Sequence, residues 1–90
     1  MNIRYSARAR AQIEIIHDYI AQRNTNAATV VVAYIRQSSN LLADWPQLGR
    51  ITDEKGVRML AVPRFPYVVF YTLRSKEIVI LSVMHAAQER

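Results

Sequence analysis

The sequence contains no cysteine and only two histidines, two glycines and three prolines among its 90 residues. The lack of cysteine excludes disulfide scaffolds, thiolate zinc sites, iron–sulfur clusters and cysteine nucleophiles. His17 and His85 are too few ligands to hold a metal ion by themselves. We therefore expect a protein that works without a metal or any other cofactor.

Long apolar runs are absent as well. The longest, Val30–Ile35 and Ile78–Val83, fall far short of the roughly 20 residues that cross a membrane. The N-terminal segment is interrupted by charged and polar side chains, so it has no signal-peptide core. We therefore expect a cytoplasmic protein that does not enter a membrane.

The length predicts one domain that covers residues 1–90. A chain of this size buries about 60–65% of the surface that its unfolded form exposes. It can therefore build one core, with little area left for a deep enclosed pocket. This argues against a large cofactor-dependent enzyme.

The charge is unbalanced: twelve Lys and Arg residues stand against seven Asp and Glu residues, which gives a formal net charge of +5. Such an excess suggests an anionic partner, either a nucleic acid or an acidic protein. The basic residues are spread along the chain and form no basic tail. Any binding surface must therefore be assembled by the fold.

The first half of the chain predicts a short strand followed by two helices. Asn2–Tyr5 can form an edge strand, and Ser6 is a natural N-cap for the helix after it, which ends near Arg23–Asn24. The apolar stripe of this helix has the helical period; it consists of Ala9, Ile13, Ile16 and Ile20.

The second helix is ambiguous in its middle, because the β-branched run Val30–Ile35 taken alone reads as a buried strand. Residues 27–45 contain no glycine or proline, and their apolar residues keep the helical period to Trp45. We therefore expect an αα-hairpin, with Thr25 or Asn26 as the second N-cap and Pro46 ending the helix.

The second half predicts a loop, Gln47–Gly56, followed by three strands at Val57–Val62, Tyr67–Arg74 and Glu77–Met84. The last two strands are apolar on both faces and should be central in the sheet, whereas the first belongs near an edge. The predicted fold is α+β with the order βααβββ. The helical hairpin packs on one face of a mostly antiparallel sheet.

Two residues are the main candidates for chemistry. His85 ends the last strand, on the same alternating face as Val79, Leu81 and Val83, and is either a general acid or base or a partly buried side chain with its own hydrogen bond. Arg58 lies in an apolar strand and should seek an anion. That anion is either a target phosphate or a carboxylate of Asp53 or Glu54.

Arg50, Lys55 and Arg64 lie close to Arg58 in the sequence and could form a phosphate-facing patch with it. Tyr67 or Tyr71 could then stack on a base. The common catalytic motifs, namely the nucleophile elbow, the Walker loop and the zinc-protease helix, are missing. The second helix carries only one basic residue, Arg36, which argues against DNA readout by a helix.

A set of short segments lies in order along the chain. They are Ser6-Ala7, Tyr19-Ile20, Asn26-Ala27-Ala28, Leu42, Trp45-Pro46-Gln47-Leu48-Gly49, Val57-Arg58-Met59-Leu60, Pro66-Tyr67-Val68-Val69-Phe70-Tyr71 and Ile78-Val79-Ile80-Leu81-Ser82-Val83-Met84-His85. In this order they resemble the RelE/ParE superfamily of toxins from type II toxin–antitoxin modules, and the resemblance covers nearly the whole chain.

The resemblance implies one of two activities. RelE-like members are ribosome-dependent mRNA endoribonucleases, and in that case Arg58 and His85 would be the catalytic residues. ParE-like members bind and poison DNA gyrase. No aromatic residue follows His85, and Gln88 stands where ParE-like members often carry a basic residue; Arg90 is the candidate to replace it. The two long helices favour the ParE-like activity.

The resemblance also implies the partners. For either target, DNA gyrase or the ribosome with its mRNA, the expected contact residues are Arg50, Lys55, Arg58, Arg64, His85 and Arg90. A cognate antitoxin should neutralise the toxin in a heterotetramer or larger complex, and modules of this kind serve plasmid stabilisation. Residues for antitoxin binding are not assigned. A third alternative is a degenerate toxin that only binds its antitoxin.

Overall fold

The computed structural model describes residues 1–88, which form two long helices and a five-stranded sheet. The elements in chain order are β1 (Asn2–Tyr5), α1 (Ala7–Ala21), α2 (Thr25–Leu41), β2 (Arg50–Ile51), β3 (Val57–Ala61), β4 (Tyr67–Arg74), β5 (Glu77–His85) and a short 3₁₀ turn (Ala86–Gln88).

The strand order in the sheet is β1-β5-β4-β3-β2. β1 pairs with β5 in parallel, and every other pair is antiparallel. The predicted α+β fold, with a helical hairpin on a mostly antiparallel sheet, is therefore confirmed. β4 and β5 lie inside the sheet, which agrees with their apolar character on both faces.

α1 starts where the sequence predicts, because Ser6 caps it. The hydroxyl oxygen of Ser6 accepts the N–H of Ala9 at 3.0 Å and donates its own proton to the carbonyl of Leu81 at 2.9 Å. The backbone N–H of Ser6 also donates to Ile80 of β5. The cap thus attaches the start of α1 directly to the sheet.

The cap of α2 differs from the prediction. Asn24, and not Thr25 or Asn26, occupies the extended N-cap position, and its side-chain oxygen accepts the N–H of Ala27 at 3.0 Å. α2 also ends at Leu41 and does not reach Trp45. The bonds that follow it, such as Leu42 N–H to Ser39 O and Ala43 N–H to Asn40 O, span three residues and tighten the chain into turns before Pro46.

The core lies between the hairpin and one face of the sheet. Ile35 of α2, Tyr71 of β4 and Ile80 of β5 are fully buried in it. Area buried in this way is the main source of stability in a small domain. The run Val30–Ile35 therefore belongs to α2, with Val31 and Ile35 buried in the core and Val30 exposed.

The structure adds one strand. β2 (Arg50–Ile51) lies in the segment Gln47–Gly56, which the sequence predicts as a loop. It pairs with Met59 and Arg58 of β3, so β3 is one strand in from the edge. Two residues are too short for an alternating pattern, so the sequence carried no strand signal here.

A bulge in β5 changes the face on which His85 lies. Phe70 pairs with Ser82 and Tyr71 pairs with Ile80, which leaves Leu81 without a partner in the register. The side chains therefore do not alternate simply from Val79 to His85, and the prediction that these two share a face is wrong. His85 pairs with Tyr67 on the face that the helices cover.

Within the described residues 1–88, no helix is long and apolar enough to cross a membrane.

Candidate functional site

The predicted site residues fall into two groups along β4. Arg58 pairs with Tyr71 in the middle of β4, whereas His85 pairs with Tyr67 at its start. Four residues of a strand span about 13 Å. Val69 is fully buried between these two positions on the same face. Arg58 and His85 therefore do not share a pocket.

The other basic residues divide in the same way. Arg64 lies in the turn between β3 and β4, on the side of the sheet where His85 ends β5, and the N–H of Ala86 donates to Pro66 of that turn at 2.8 Å. Arg50 lies on β2 and Lys55 in the loop after it, on the Arg58 side. Arg90 lies outside the described residues.

Arg58 is bound to the protein's own backbone. Its Nη1 donates to the carbonyl oxygen of Gly49 at 2.7 Å and lies 3.4 Å from that of Gln47. The expected structural partners, Asp53 and Glu54, are not the groups that it contacts; two carbonyl dipoles take their place. The side chain is half-buried and lines an open groove together with Pro46 and Gln47.

Tyr71 of β4 binds the same loop through its hydroxyl group. Its hydroxyl donates to the carbonyl of Pro46 at 2.8 Å and accepts the backbone N–H of Gly49 at 2.9 Å. Burial raises the pKa of Tyr71, and the hydrogen bond from Gly49 and the charge of Arg58 lower it in part. Only 1% of this residue is exposed. Tyr71 therefore cannot stack on a base, which leaves Tyr67 of the two residues predicted for that role.

Gly49 allows the loop to lie this close to the sheet. A Cβ at this position would stand 2.7 Å from a ring carbon of Tyr71, 2.8 Å from its hydroxyl oxygen and 2.8 Å from the carbonyl oxygen of Met59. No side chain fits at such distances. We call Arg58, Tyr71 and the loop Pro46–Gly49 together the loop latch.

His85 lies at one side of an open groove of about 530 Å³ between α1 and the ends of β4 and β5. Its Nδ1 accepts the N–H of Ala87 at 3.0 Å, so neutral His85 carries its proton on Nε2. The ring of Tyr67 packs edge-on against it, with the centroids 5.5 Å apart. Burial and the neighbouring Tyr19 raise the pKa of Tyr67.

The wall of this groove is mostly apolar. Ile15 and Tyr19 of α1 line it and are exposed, although they are large apolar side chains. Gln12 closes its inner side, where its side-chain oxygen accepts the N–H of Val83 at 2.7 Å. An apolar groove beside a helix is the kind of surface on which a partner's helix or strand can lie.

Arg50 and Lys55 are exposed but not in a purely basic surrounding. Arg50 lines a second groove together with Asp53 and Glu54, and its Nη2 lies 3.9 Å from the sulfur of Met59. Mixed charges of this kind suit a protein surface better than a phosphate backbone. Within residues 1–88 no three acidic or histidine side chains are arranged to hold a metal ion.

The comparisons with known proteins agree with this fold. Residues 3–90 match the family described as the ParE toxin of the type II toxin–antitoxin system parDE. The chain belongs to the ParE toxin family. It is 37% identical to toxin Y4kP of Sinorhizobium fredii over 87 residues. This matched stretch covers 97% of this chain and 90% of the relative.

Two further relatives support the assignment. Toxin RelE2 of Caulobacter vibrioides is 31% identical over 81 residues, which is 90% of each chain. A solved structure of the chromosomal ParDE toxin–antitoxin system from P. aeruginosa matches with a TM-score of 0.84 at 26% identity, over 94% of this chain and 95% of that one. The protein is therefore a toxin of the RelE/ParE superfamily, of the type II toxin–antitoxin class.

Sequence reasoning missed the loop latch of this ParE-family toxin. Its contacts join side chains to backbone atoms 9 to 25 residues away, which no local pattern records. A signal was present in Gly49, because a glycine between Leu48 and the strand residue Arg50 fits a close backbone approach. Tyr71 looked like an ordinary strand aromatic.

Proposed function

We propose that this toxin acts by binding and poisoning DNA gyrase, and that a cognate antitoxin neutralises it. The observation that supports the proposal best is the separation of Arg58 from His85. Cleavage of RNA requires acid, base and charge-stabilising groups within hydrogen-bonding range of one phosphate. Arg58 donates to loop carbonyls, and the β4 residue that pairs with His85 of β5 lies about 13 Å from the one that pairs with Arg58, so the two side chains do not meet at one phosphate.

The target contacts that we propose are Arg50, Lys55, Arg58, Arg64 and His85, with Arg90 beyond the described part. On the Arg58 side of the sheet, exposed Arg50 and Lys55 offer charge to an acidic protein surface. Since gyrase and ribosomes are cytoplasmic, the proposed action takes place in the cytoplasm. We propose plasmid stabilisation as one role of such a module.

The antitoxin is proposed to bind the apolar groove beside α1. Exposed Ile15 and Tyr19 offer an apolar wall to a helix or strand, and the net charge of +5 favours an acidic segment. The complex is expected to contain two toxins and two antitoxins. Native mass spectrometry of the co-expressed pair measures this stoichiometry. A toxin that stays alone in the presence of the neighbouring gene's product would contradict the proposal.

The second candidate is a ribosome-dependent mRNA endoribonuclease that uses Arg58 and His85. It is favoured by the edge-on packing of His85 against Tyr67, since an aromatic beside a histidine can hold a base, and by the relative named toxin RelE2. In this case Arg58→Ala and His85→Ala would each abolish mRNA cleavage with the fold intact. If the double variant Arg58→Ala/His85→Ala still cleaved mRNA, these two residues would not be the catalytic ones.

The decisive experiment compares the two targets with the same purified toxin. We expect gyrase to lose supercoiling activity or to accumulate trapped double-strand breaks in plasmid DNA, whereas mRNA on translating ribosomes stays intact. Toxin bound to its antitoxin is the control and should have no effect. Site-specific mRNA cuts with gyrase unaffected would overturn the proposal. Harmless expression without antitoxin would indicate the degenerate toxin.

A further inference from the structure

We infer that Arg58 and Tyr71 are positioning residues, which fix the loop Pro46–Gly49 and so set the place of Arg50 and Trp45 on the surface. The inference revises the role of Arg58 within the proposed function, on which it rests. Arg58 then supports activity through the loop and does not contact the target itself.

The first support is the number of loop groups that the two side chains bind. The guanidinium of Arg58 contacts two carbonyl oxygens of the loop, and the hydroxyl of Tyr71 binds the carbonyl of Pro46 and the N–H of Gly49. Gly49 is thus held at both its N–H and its C=O. Backbone groups near a buried surface need such partners, since losing them costs free energy.

The second support is the direction of these groups. Arg58 pairs with Tyr71 across the strands, on the face that is turned toward the helices. Tyr71 is almost fully buried, whereas Arg58 is half-buried and lines an open groove with Pro46 and Gln47. The Nη1 of Arg58 already donates to the loop carbonyls, so a target group would have to compete with them for it. The charge of Arg58 is therefore better placed to orient carbonyl dipoles than to meet a partner.

The third support is what the loop carries. Gly49 directly precedes Arg50, and β2 consists of only two residues, so its own pairing holds it weakly. At the other end of the loop, Trp45 has 64% of its surface exposed. Loops positioned by a rigid scaffold often carry binding residues. Fixing Gly49 therefore fixes an adjacent target contact.

The test compares Tyr71→Phe, Arg58→Ala, Arg58→Lys and the double variant Arg58→Ala/Tyr71→Phe, with exposed Arg23→Ala as the control for loss of a charge. Circular dichroism and antitoxin binding check that each variant folds. Two quantities are measured: the hydrogen-exchange rate of the Gly49 amide, and growth arrest after expression without antitoxin. Anisotropy decay of Trp45, the single tryptophan, reports the motion of the loop.

We expect Tyr71→Phe and Arg58→Ala each to speed exchange at Gly49 about tenfold, as for loss of a hydrogen bond in a locally opening segment. Both should weaken growth arrest and add a fast component to the Trp45 anisotropy. The double variant should lose little more toxicity and Gly49 protection than whichever single variant loses more, because both substitutions act through one loop. Arg23→Ala should behave as the unmodified toxin.

Three results would overturn the inference. The first is that Tyr71→Phe stays fully toxic while Arg58→Ala loses toxicity, although the Gly49 amide of Arg58→Ala is still protected from exchange. The second is Arg58→Lys that regains toxicity without regaining that protection, since charge alone would then suffice. The third is a variant whose Gly49 amide exchanges faster and whose Trp45 moves more freely, but which is still fully toxic. Failure of gyrase inhibition by the unmodified toxin would instead overturn the proposed function and leave the loop measurements standing.

Discussion

Gly49→Ala is expected to lower the free energy of unfolding by about 3 kcal/mol, the upper part of the range for overpacking a filled site. The new Cβ would meet the carbonyl oxygen of Met59 at 2.8 Å and the ring of Tyr71 at 2.7 Å. The Met59 carbonyl belongs to β3 and cannot move alone, so the loop itself must lift. Urea unfolding measures the loss, and growth arrest should weaken with it.

Gly56→Ala is the matched control, because it replaces the other glycine of the chain. Its Cβ would meet only the hydroxyl of Thr72, at 3.9 Å, but its φ of +80° is unfavourable for alanine. We expect a loss of about 1–2 kcal/mol from this backbone strain alone. The Gly49 amide should stay protected in this variant. A Gly49→Ala protein as stable as the unmodified toxin would show that the loop does not press on the sheet.

Ile35→Ala is expected to have the largest effect on stability, about 2–5 kcal/mol. Ile35 is fully buried between α2 and the sheet, and its removal leaves a cavity in the centre of the core. The total free energy of unfolding of a small domain is only about 5–15 kcal/mol. The variant should therefore unfold at a much lower urea concentration, with an unchanged slope of the transition.

Val30→Ala tests whether this loss comes from burial. Val30 belongs to the same β-branched run of α2, but 45% of its surface is exposed. We expect a change within about 0.5 kcal/mol, since surface substitutions cost little and alanine favours a helix. Equal losses at positions 30 and 35 would contradict the packing of α2 against the sheet.

The main elements could be predicted from the sequence because their signals are periodic and local. The stripe through Ile13 repeats with the helical period, and the absence of glycine and proline from residues 27–45 outweighs the strand propensity of Val30–Ile35. Ser6 caps α1 as expected. These features depend on side chains that lie within a few residues of one another.

The errors in the elements have a different physical origin. Asn24, Thr25 and Asn26 can all cap a helix, and it is Asn24 whose side chain accepts the N–H of Ala27. The bulge at Leu81 depends on how β4 and β5 pair, and the two residues of β2 depend on β3. Long-range pairing decides such details, so no local pattern carries them.

The site was harder to predict than the fold. The sequence identified Arg58 as a charged residue in an apolar strand, which must find a partner. It could not identify that partner, because the carbonyls of Gln47 and Gly49 come close only when the loop crosses the sheet. Tyr71, with its hydroxyl on the same loop, carried no distinguishing signal.

The most direct test of a toxin that works by surface contact is a titration of gyrase with increasing amounts of purified toxin. We predict that supercoiling activity falls as the molar ratio approaches a stoichiometric complex, stays low beyond it, and returns when antitoxin is added. Cleavage of mRNA on translating ribosomes by far fewer toxin molecules than ribosomes, with gyrase fully active at every ratio, would contradict the account.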